Sequence, residues 1–585
     1  MVRRLSCVLI LCLSARVAGA VRIDSVLLPN VPAKVAAPRA LRVAEGTSVQ
    51  PLAVMRPASV GALDAMEAIA VWNRSGGVPV KNGFARPLPV PRAVRFTADL
   101  LVRQPARFAG GALLAPPSGG LVWGGEVRVE GAHRLRLHLA DARLPQGTLL
   151  WVYSEDGREE VPFAADAVTS NGEIWTPSVA GPVVRFEVHL PEGAVAGSGF
   201  TVDKVLELFD LDVDGSPRLG ALPAKADTSC LRDAACYGAA QLGVMDVYKH
   251  AVAVLEFVDN GQGYLCSGGL LNDTDDSTTI PYLLTAHHCI STQTVASTLQ
   301  AFFDYIAPSC SGAPPDIGAV PRAVGATLLA TGAGSDFTLV QLSSLPPGRG
   351  LLGSTSEPVA AGAQMYRLSF PLGLAQHYSV TSMTASGITC QGVPRPNFLY
   401  SSLALGGVQG GSSGSPVVGA DGRVVGQLLG TCGLTADGCD AGNLVIDGAL
   451  SQTWPSISNW IAPAVITPPG SCVPGPTTIC VGNGRFKVEA TFDTGTQQGQ
   501  AQGVKLTDDT GYLWFFSASN VETVVKVLDA CSYNQRFWVY AGGLTNEQVT
   551  LKVTDTKTGM VKTYSNPLGT AFNPVQDISA FATCP

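Results

Sequence analysis

Two segments in the first third of the chain alternate apolar and polar residues with the period of a strand. Leu135, Leu137 and Leu139 fall on one face and Arg134, Arg136 and His138 on the other. Val184, Phe186, Val188 and Leu190 repeat the pattern against Arg185, Glu187 and His189. This predicts half-buried strands, with His138 and His189 facing solvent as ordinary strand residues. No cysteine falls between residues 21 and 229, so a disulfide-free β-sandwich is the expected fold there. Near the other end, Phe486 to Phe492, Tyr512 to Phe516, Phe537 to Tyr540 and Val549 to Val553 are strand-like. The last sets Val549, Leu551 and Val553 against Thr550, Lys552 and Thr554, then turns through Lys557-Thr558-Gly559. They predict a small all-β domain, and no cluster of titratable groups in it suggests chemistry.

Two aperiodic stretches divide the chain. Ser216 to Asp227 (SPRLGALPAKAD) reads as an exposed linker, and Ala462 to Ser471 (APAVITPPGS) as a second. At the start, Arg3 and Arg4, the apolar run Leu5 to Leu13 and Ala18-Gly19-Ala20 have the order of a secretory signal. That run is less than half of the roughly 20 residues a spanning helix needs. The expected organisation is a signal over 1–20, a β-rich N-terminal domain over 21–225, a middle domain over 226–463 and a C-terminal β domain over 464–585.

Composition narrows the partners. With 46% hydrophobic and 15% charged residues, 65 glycines and 40 prolines, the 585-residue chain is globular and turn-rich. A net charge of −7 argues against nucleic acid. Of 14 cysteines, Cys7 and Cys12 lie in the signal and 12 remain, eight between Cys230 and Cys439 and four between Cys472 and Cys584. Even numbers in an exported chain point to disulfides, and the spacings match no common zinc pattern, so no metal and no cofactor are expected.

Candidate chemistry centres on Gly410-Gly411-Ser412-Ser413-Gly414-Ser415-Pro416. A Gly/Ser tract is often a flexible linker. This one runs straight into Pro416-Val417-Val418, an Asp421-Gly422 turn and Val424 to Leu429, the pattern of a buried hairpin. Gly410-x-Ser412-x-Gly414 also fits a nucleophile elbow with Ser412 as nucleophile. That arrangement needs a histidine after the serine, and the last histidine is His377.

The order His, Asp, Ser is satisfied instead by Thr285-Ala286-His287-His288-Cys289, Ser335-Asp336-Phe337-Thr338-Leu339-Val340 and Gly411 to Pro416. Together these resemble the trypsin-fold serine endopeptidases. The resemblance implies His288 as general base, Asp336 as its orienting carboxylate, Ser413 as nucleophile, and the N–H groups of Gly411 and Ser413 as the oxyanion hole. The residue types suit acyl transfer, since serine needs a base within hydrogen-bond reach and an imidazole both accepts and returns the proton. His287, not adjacent to Cys289, is read as structural, and His250 and His377 as surface or packing residues.

Over roughly residues 228–462 the likeness is strongest to secreted bacterial lysyl endopeptidases, which are made with a signal, a long N-terminal propeptide and often C-terminal domains. The fold this implies is all-β: an N-terminal β-sandwich propeptide, a central double β-barrel and a small C-terminal β-sandwich. It implies pairing of Cys266 with Cys289, Cys236 with Cys310 and Cys230 with Cys439, which leaves Cys390 with Cys432. The four C-terminal cysteines would pair among themselves, as Cys472–Cys480 or in a longer-range arrangement. Gly407, Leu429, Val445, Ile446 and Asp447 are the candidate substrate-pocket residues. None of Gly407, Val445 and Ile446 is the acid expected at its place, so lysine specificity is not carried over, and Asp447 is left as a displaced acid or no pocket residue at all.

The expected protein is therefore a secreted, monomeric endopeptidase acting on proteins or peptides, made as a precursor whose β domain covers the cleft or guides folding. Arg218 and Lys225 in the first linker are the expected processing sites. Because Ser412 replaces the aspartate that trypsin pairs with its new N-terminus, no such salt bridge is expected to form the oxyanion loop. The second function class is a binding or adhesion protein with an inactive protease fold, its C-terminal domain holding a surface or partner.

Overall fold

In the computed structural model, residues 21–584 are described except 31–39, 46–49, 57–59, 118, 213, 219–229, 276–277, 434–437 and 464–470. The predicted signal and Lys225 lie outside the described residues. The chain divides into two compact units, Met1–Pro463 and Ala464–Pro585.

In the first unit the two alternating segments enter different sheets. Val183–Leu190 runs between Leu121–Val129 and Leu149–Ser154 in a seven-stranded sheet. Arg134–Arg143 pairs with Gly199–Leu208 in a twelve-stranded sheet. Their apolar faces meet in one core, where Leu135, Leu137 and Val205 pack with Val127, Val184 and Phe186. Trp123 is buried among them, its ring 5.2 Å from that of Phe186 and 5.5 Å from that of Phe200. Its single donor is satisfied, because Nε1 donates to the Phe108 carbonyl.

The polar faces depart from the alternation. His138 is buried, with Nδ1 2.6 Å from Asp203 Oδ1, and His189 is partly covered, with Nε2 2.9 Å from Glu187 Oε2. Arg134 and Arg136 are buried as well. The reason is a second layer of protein. Arg136 donates to the carbonyl of Thr298, and Glu159 accepts from both Arg134 and Arg322, so the middle region covers this face. Burial opposes the charge on Glu159, yet Arg134 and Arg322 hold its carboxyl below the usual range.

The sheet itself continues into the middle region. Val80–Arg95 pairs along one edge with Gly199–Leu208 and along the other with Gln262–Leu271. At this junction Gly83 faces Gly263. A Cβ on Gly83 would lie 2.6 Å from the Glu207 carbonyl oxygen, so the close approach needs glycine.

The middle region forms two curled sheets. In the first, strands run in the order Arg322–Val324, Gln300–Phe303, Val252–Asp259, Gln262–Leu271, Tyr282–Ala286, Phe337–Leu342, Ala326–Gly332. Its two ends meet in the chain at Gly325. The second is a closed barrel of Gln364–Ser369, His377–Met383, Phe398–Leu405, Leu444–Ala449, Val424–Cys432 and Pro416–Gly419. The hairpin expected after the Gly/Ser tract is the pair Pro416–Gly419 and Val424–Cys432. Helix Leu450–Ile461 closes the region, with Leu450, Ile457 and Ile461 in a core shared by both halves.

The unit holds the disulfides Cys230–Cys439, Cys236–Cys310, Cys266–Cys289 and Cys390–Cys432. Arg218 is not an exposed linker residue. Its Nε donates to Asp212 Oδ1 at 2.8 Å and only 14% of its side chain is exposed, because Pro217 folds back to bridge Leu211.

The second unit has two five-stranded sheets about a core that includes Phe486, Phe492, Val527, Val539, Leu551 and Phe581. Cys472–Cys480 and Cys531–Cys584 are its disulfides. No helix among the described residues is long and apolar enough to cross a membrane.

Candidate active site

Antiparallel pairing brings the first two motifs together. Ala286, at the end of Tyr282–Ala286, sits opposite Phe337, at the start of Phe337–Leu342. The residues just beyond, His287-His288 and Asp336, therefore share one end of the strand pair. His288 donates twice to the Asp336 carboxylate, from its backbone N–H to Oδ1 at 3.0 Å and from Nδ1 to Oδ2 at 2.8 Å. Asp336 is buried and has a φ of +52°, a conformation aspartate tolerates better than most residues. Gln427, from the second barrel, holds this turn by donating to the carbonyls of Ser335 and Asp336.

This leaves His288 Nε2 buried and without a hydrogen-bond partner among the described residues. The disulfide to Cys266 anchors the next residue, Cys289. Cys266, His288 and Cys289 approach within 4.8 Å, but both sulfurs are committed to the disulfide, so the group is no metal-ligand set. His287 turns away, its Nδ1 2.8 Å from Thr331 Oγ1. His250 pairs with Asp304 and His377 with the Ala375 carbonyl.

The Ser413 turn comes from the second barrel and is gripped by the first. Ser267 N donates to the Ser413 carbonyl and Ser267 Oγ to the Gly411 carbonyl, each at 2.8 Å. With these oxygens held, the N–H groups of Gly411 and Ser413 make no hydrogen bond among the described residues. The turn needs glycine at Gly411 (φ +91°) and Gly414 (φ +78°). At Gly414 space is also exhausted, since a Cβ would lie 2.2 Å from Thr285 Oγ1. The same tightness seats the turn against the strand that ends at the histidines.

A cavity beside Ser413 is lined from the middle region by Leu372, Val408, Gln409, Leu428, Leu429 and Thr431. The segment Asn73–Val78, with Val80, lines it from the N-terminal side, as does Asp214. Of the five pocket candidates only Leu429 is in this lining. Gly407 abuts the Cys230–Cys439 disulfide, and a Cβ there would lie 2.7 Å from Cys230 Sγ. Val445 packs behind the wall against Val408 and Leu428, while Ile446 faces Phe398 and Tyr400.

Asp447 does not line this cavity. It is fully buried and pairs at 2.5 Å with Arg367, also buried. Burial pushes its carboxyl up, against the pull of the Arg367 guanidinium. A carboxylate buried this deeply needs a cation, and Arg367 supplies it on the far side of the Ser413 turn. Arg367, Gln427 and the role of Ser267 escape sequence reasoning. Arg367 left one signal, a lone charge in the apolar run Met365 to Phe370.

Two family models match the chain, one described as the lysyl endopeptidase N-terminal domain over residues 63–203 and one as the lysyl endopeptidase C-terminal domain over 224–441. A lysyl endopeptidase of Pseudomonas aeruginosa is 29% identical over 315 residues, which span 52% of this chain and 66% of that protein. The secreted RxLR effector protein 73 of Plasmopara viticola is 28% identical over 240 residues, 38% of this chain and 53% of that protein. The active-form crystal structure of the Rv3671c protease from M. tuberculosis superposes with a TM-score of 0.27 at 17% identity, over 42% of this chain and 95% of that one.

Proposed function

We propose that this chain, a lysyl endopeptidase-like serine protease by both of its domain matches, is an exported endopeptidase in which Ser413, His288 and Asp336 carry the reaction. Ser413 Oγ attacks the scissile carbonyl as His288 Nε2 takes its proton. The N–H groups of Gly411 and Ser413 stabilise the oxyanion. The imidazolium then protonates the leaving amine, giving an acyl-enzyme that water hydrolyses by the same steps. Asp336 keeps the proton of the neutral imidazole on Nδ1 and so leaves Nε2 basic. The observation that carries the reading is this arrangement at His288, with Nδ1 bonded to Asp336 and Nε2 without a partner among the described residues.

The N-terminal region supports a precursor reading. It shares a sheet with the middle region, and its segment Asn73–Val78 lines the cavity beside Ser413. In such a precursor the β domain covers the cleft, and cleavage in the linker beyond Arg218 precedes activity. The six disulfides fit an oxidising destination. For the residue before the scissile bond we favour a neutral, apolar side chain, because the described middle-region residues lining the cavity are uncharged.

A fluorophosphonate probe tests the core of this reading. Labelling should fall on Ser413. Ser413→Ala should lower peptide turnover by about a millionfold, while Ser412→Ala keeps measurable activity. Labelling on Ser412 would revive the elbow, and neither labelling nor hydrolysis in any form of the protein would leave the binding-protein class.

A further inference from the structure

The strand Gln364–Ser369 lies beneath the Ser413 turn and touches it through two residues, while the residue after the strand reaches it through Ser267. Arg367 Nη1 donates to the Ser415 carbonyl at 2.9 Å and lies 3.0 Å from Ser415 Oγ. Ser369 Oγ donates to Ser412 Oγ at 3.1 Å. Just past the strand, Phe370 N donates to Ser267 Oγ, which in turn holds the Gly411 carbonyl. Ser412, Ser415 and Arg367 are all buried.

A buried ion pair is a poor stabiliser. Removing two charges from water costs several kcal/mol per ion, and well-packed apolar residues in their place are often as stable or more so. The Arg367–Asp447 pair therefore calls for a reason beyond stability. Its geometry supplies one, because the guanidinium spends one terminal nitrogen, Nη2, on Asp447 Oδ1 and the other, Nη1, on Ser415. Ser415 N donates back to the Ser412 carbonyl at 3.0 Å, so whatever fixes Ser415 fixes the span containing Ser413.

We propose that Arg367 and Asp447 are positioning residues that hold the oxyanion-binding turn in its working shape from within the barrel. Asp447 orients the guanidinium, Arg367 anchors Ser415, and the N–H groups of Gly411 and Ser413 are thereby presented to the cleft. The proposal rests on Ser413 being the nucleophile. It extends the absence of a charge at Ser412: the ion pair that shapes this turn is internal and joins two barrel strands, so no chain terminus created by processing is needed.

The test uses the protein as it is released into culture by cells expressing the full chain, with whatever processing it has undergone. Active sites are counted with a fluorophosphonate, and kcat is expressed per titrated site. The variants are Asp447→Asn, Arg367→Lys, and Arg367→Met combined with Asp447→Leu. The double variant removes both charges together and so avoids stranding one of them. Loss of one oxyanion donor costs about 100-fold to 1000-fold in kcat in comparable hydrolases. We expect a fall of about 100-fold per titrated site in the double variant and in Asp447→Asn, with KM changed less than about threefold. Affinity for a peptidyl boronate should fall in parallel with kcat, and Arg367→Lys should recover at least part of the loss. A double variant that titrates normally and turns over at the parental rate would overturn the proposal. Absence of labelling in the parent, or labelling that survives Ser413→Ala, would instead defeat the nucleophile assignment.

Discussion

Asp336→Asn isolates the role of one carboxylate with little disturbance of shape. Asparagine matches aspartate in size and tolerates the φ of +52° at this position. What changes is the pattern of donors and acceptors. Asp336 offers an acceptor oxygen to each of two His288 donors, the backbone N–H at 3.0 Å and Nδ1–H at 2.8 Å. An amide offers one oxygen and one NH2. If the oxygen stays with Nδ1, the NH2 opposes the backbone N–H, leaving a donor unsatisfied at a cost of about 1–3 kcal/mol. If the amide flips, the NH2 donates to Nδ1 and the imidazole proton moves to Nε2. The second arrangement satisfies both His288 groups that face this side chain, the backbone N–H and Nδ1, so it should prevail, and Nε2 then has no lone pair to take the serine proton. In a Ser-His-Asp hydrolase this tautomer error lowers kcat by about 10⁴, or about 5.5 kcal/mol at 1.36 kcal/mol per tenfold. The assay is steady-state hydrolysis of a fluorogenic peptide, with active sites counted by slow covalent titration and folding checked by thermal unfolding. Turnover within tenfold of the parent, in folded protein, would refute Asp336 as the orienting group.

Two further outcomes follow from the same structure. Cys266 and Cys289 close a loop with a sequence separation of 23, so replacing both by alanine should destabilise the first unit by about 3 kcal/mol on loop-entropy grounds, read by urea unfolding; a loss below about 1 kcal/mol would contradict it. His250 and Asp304 form a pair in which the Asp304 hydrogen bond raises the histidine pKa above 6.5, while His250 and Arg349, against burial, hold the Asp304 carboxyl below 3.8. The histidine part is complete below pH 6.5 and is lost as pH rises through its raised value; the aspartate part is complete above pH 3.8 and is lost as pH falls through its lowered one. The stability gap between the parent and His250→Gln should thus be widest near roughly pH 5 and shrink on the alkaline side, and a gap independent of pH would count against the pair.

The sequence by itself determined the parts whose meaning is local. Alternation placed strands at Arg134–Arg143 and Val183–Leu190, because side chains on a strand alternate whatever surrounds it. The three motifs were legible for a related reason. Each is a short run whose own residue types suit its backbone: an aspartate heading a strand, a histidine beside a cysteine, glycines at Gly411 and Gly414 where φ is positive. Tertiary structure decided what each face and each charge met. The polar side of Arg134–Arg143 reads as solvent-facing, yet Thr298 and Arg322, more than 150 residues onward, cover it. Asp447 reads either as a displaced pocket acid or as no pocket residue at all. Once the barrel closes, its nearest cation is Arg367, separated from it by 80 residues. Burying a carboxylate costs enough that such a partner, rather than the local pattern, dictates where the side chain goes.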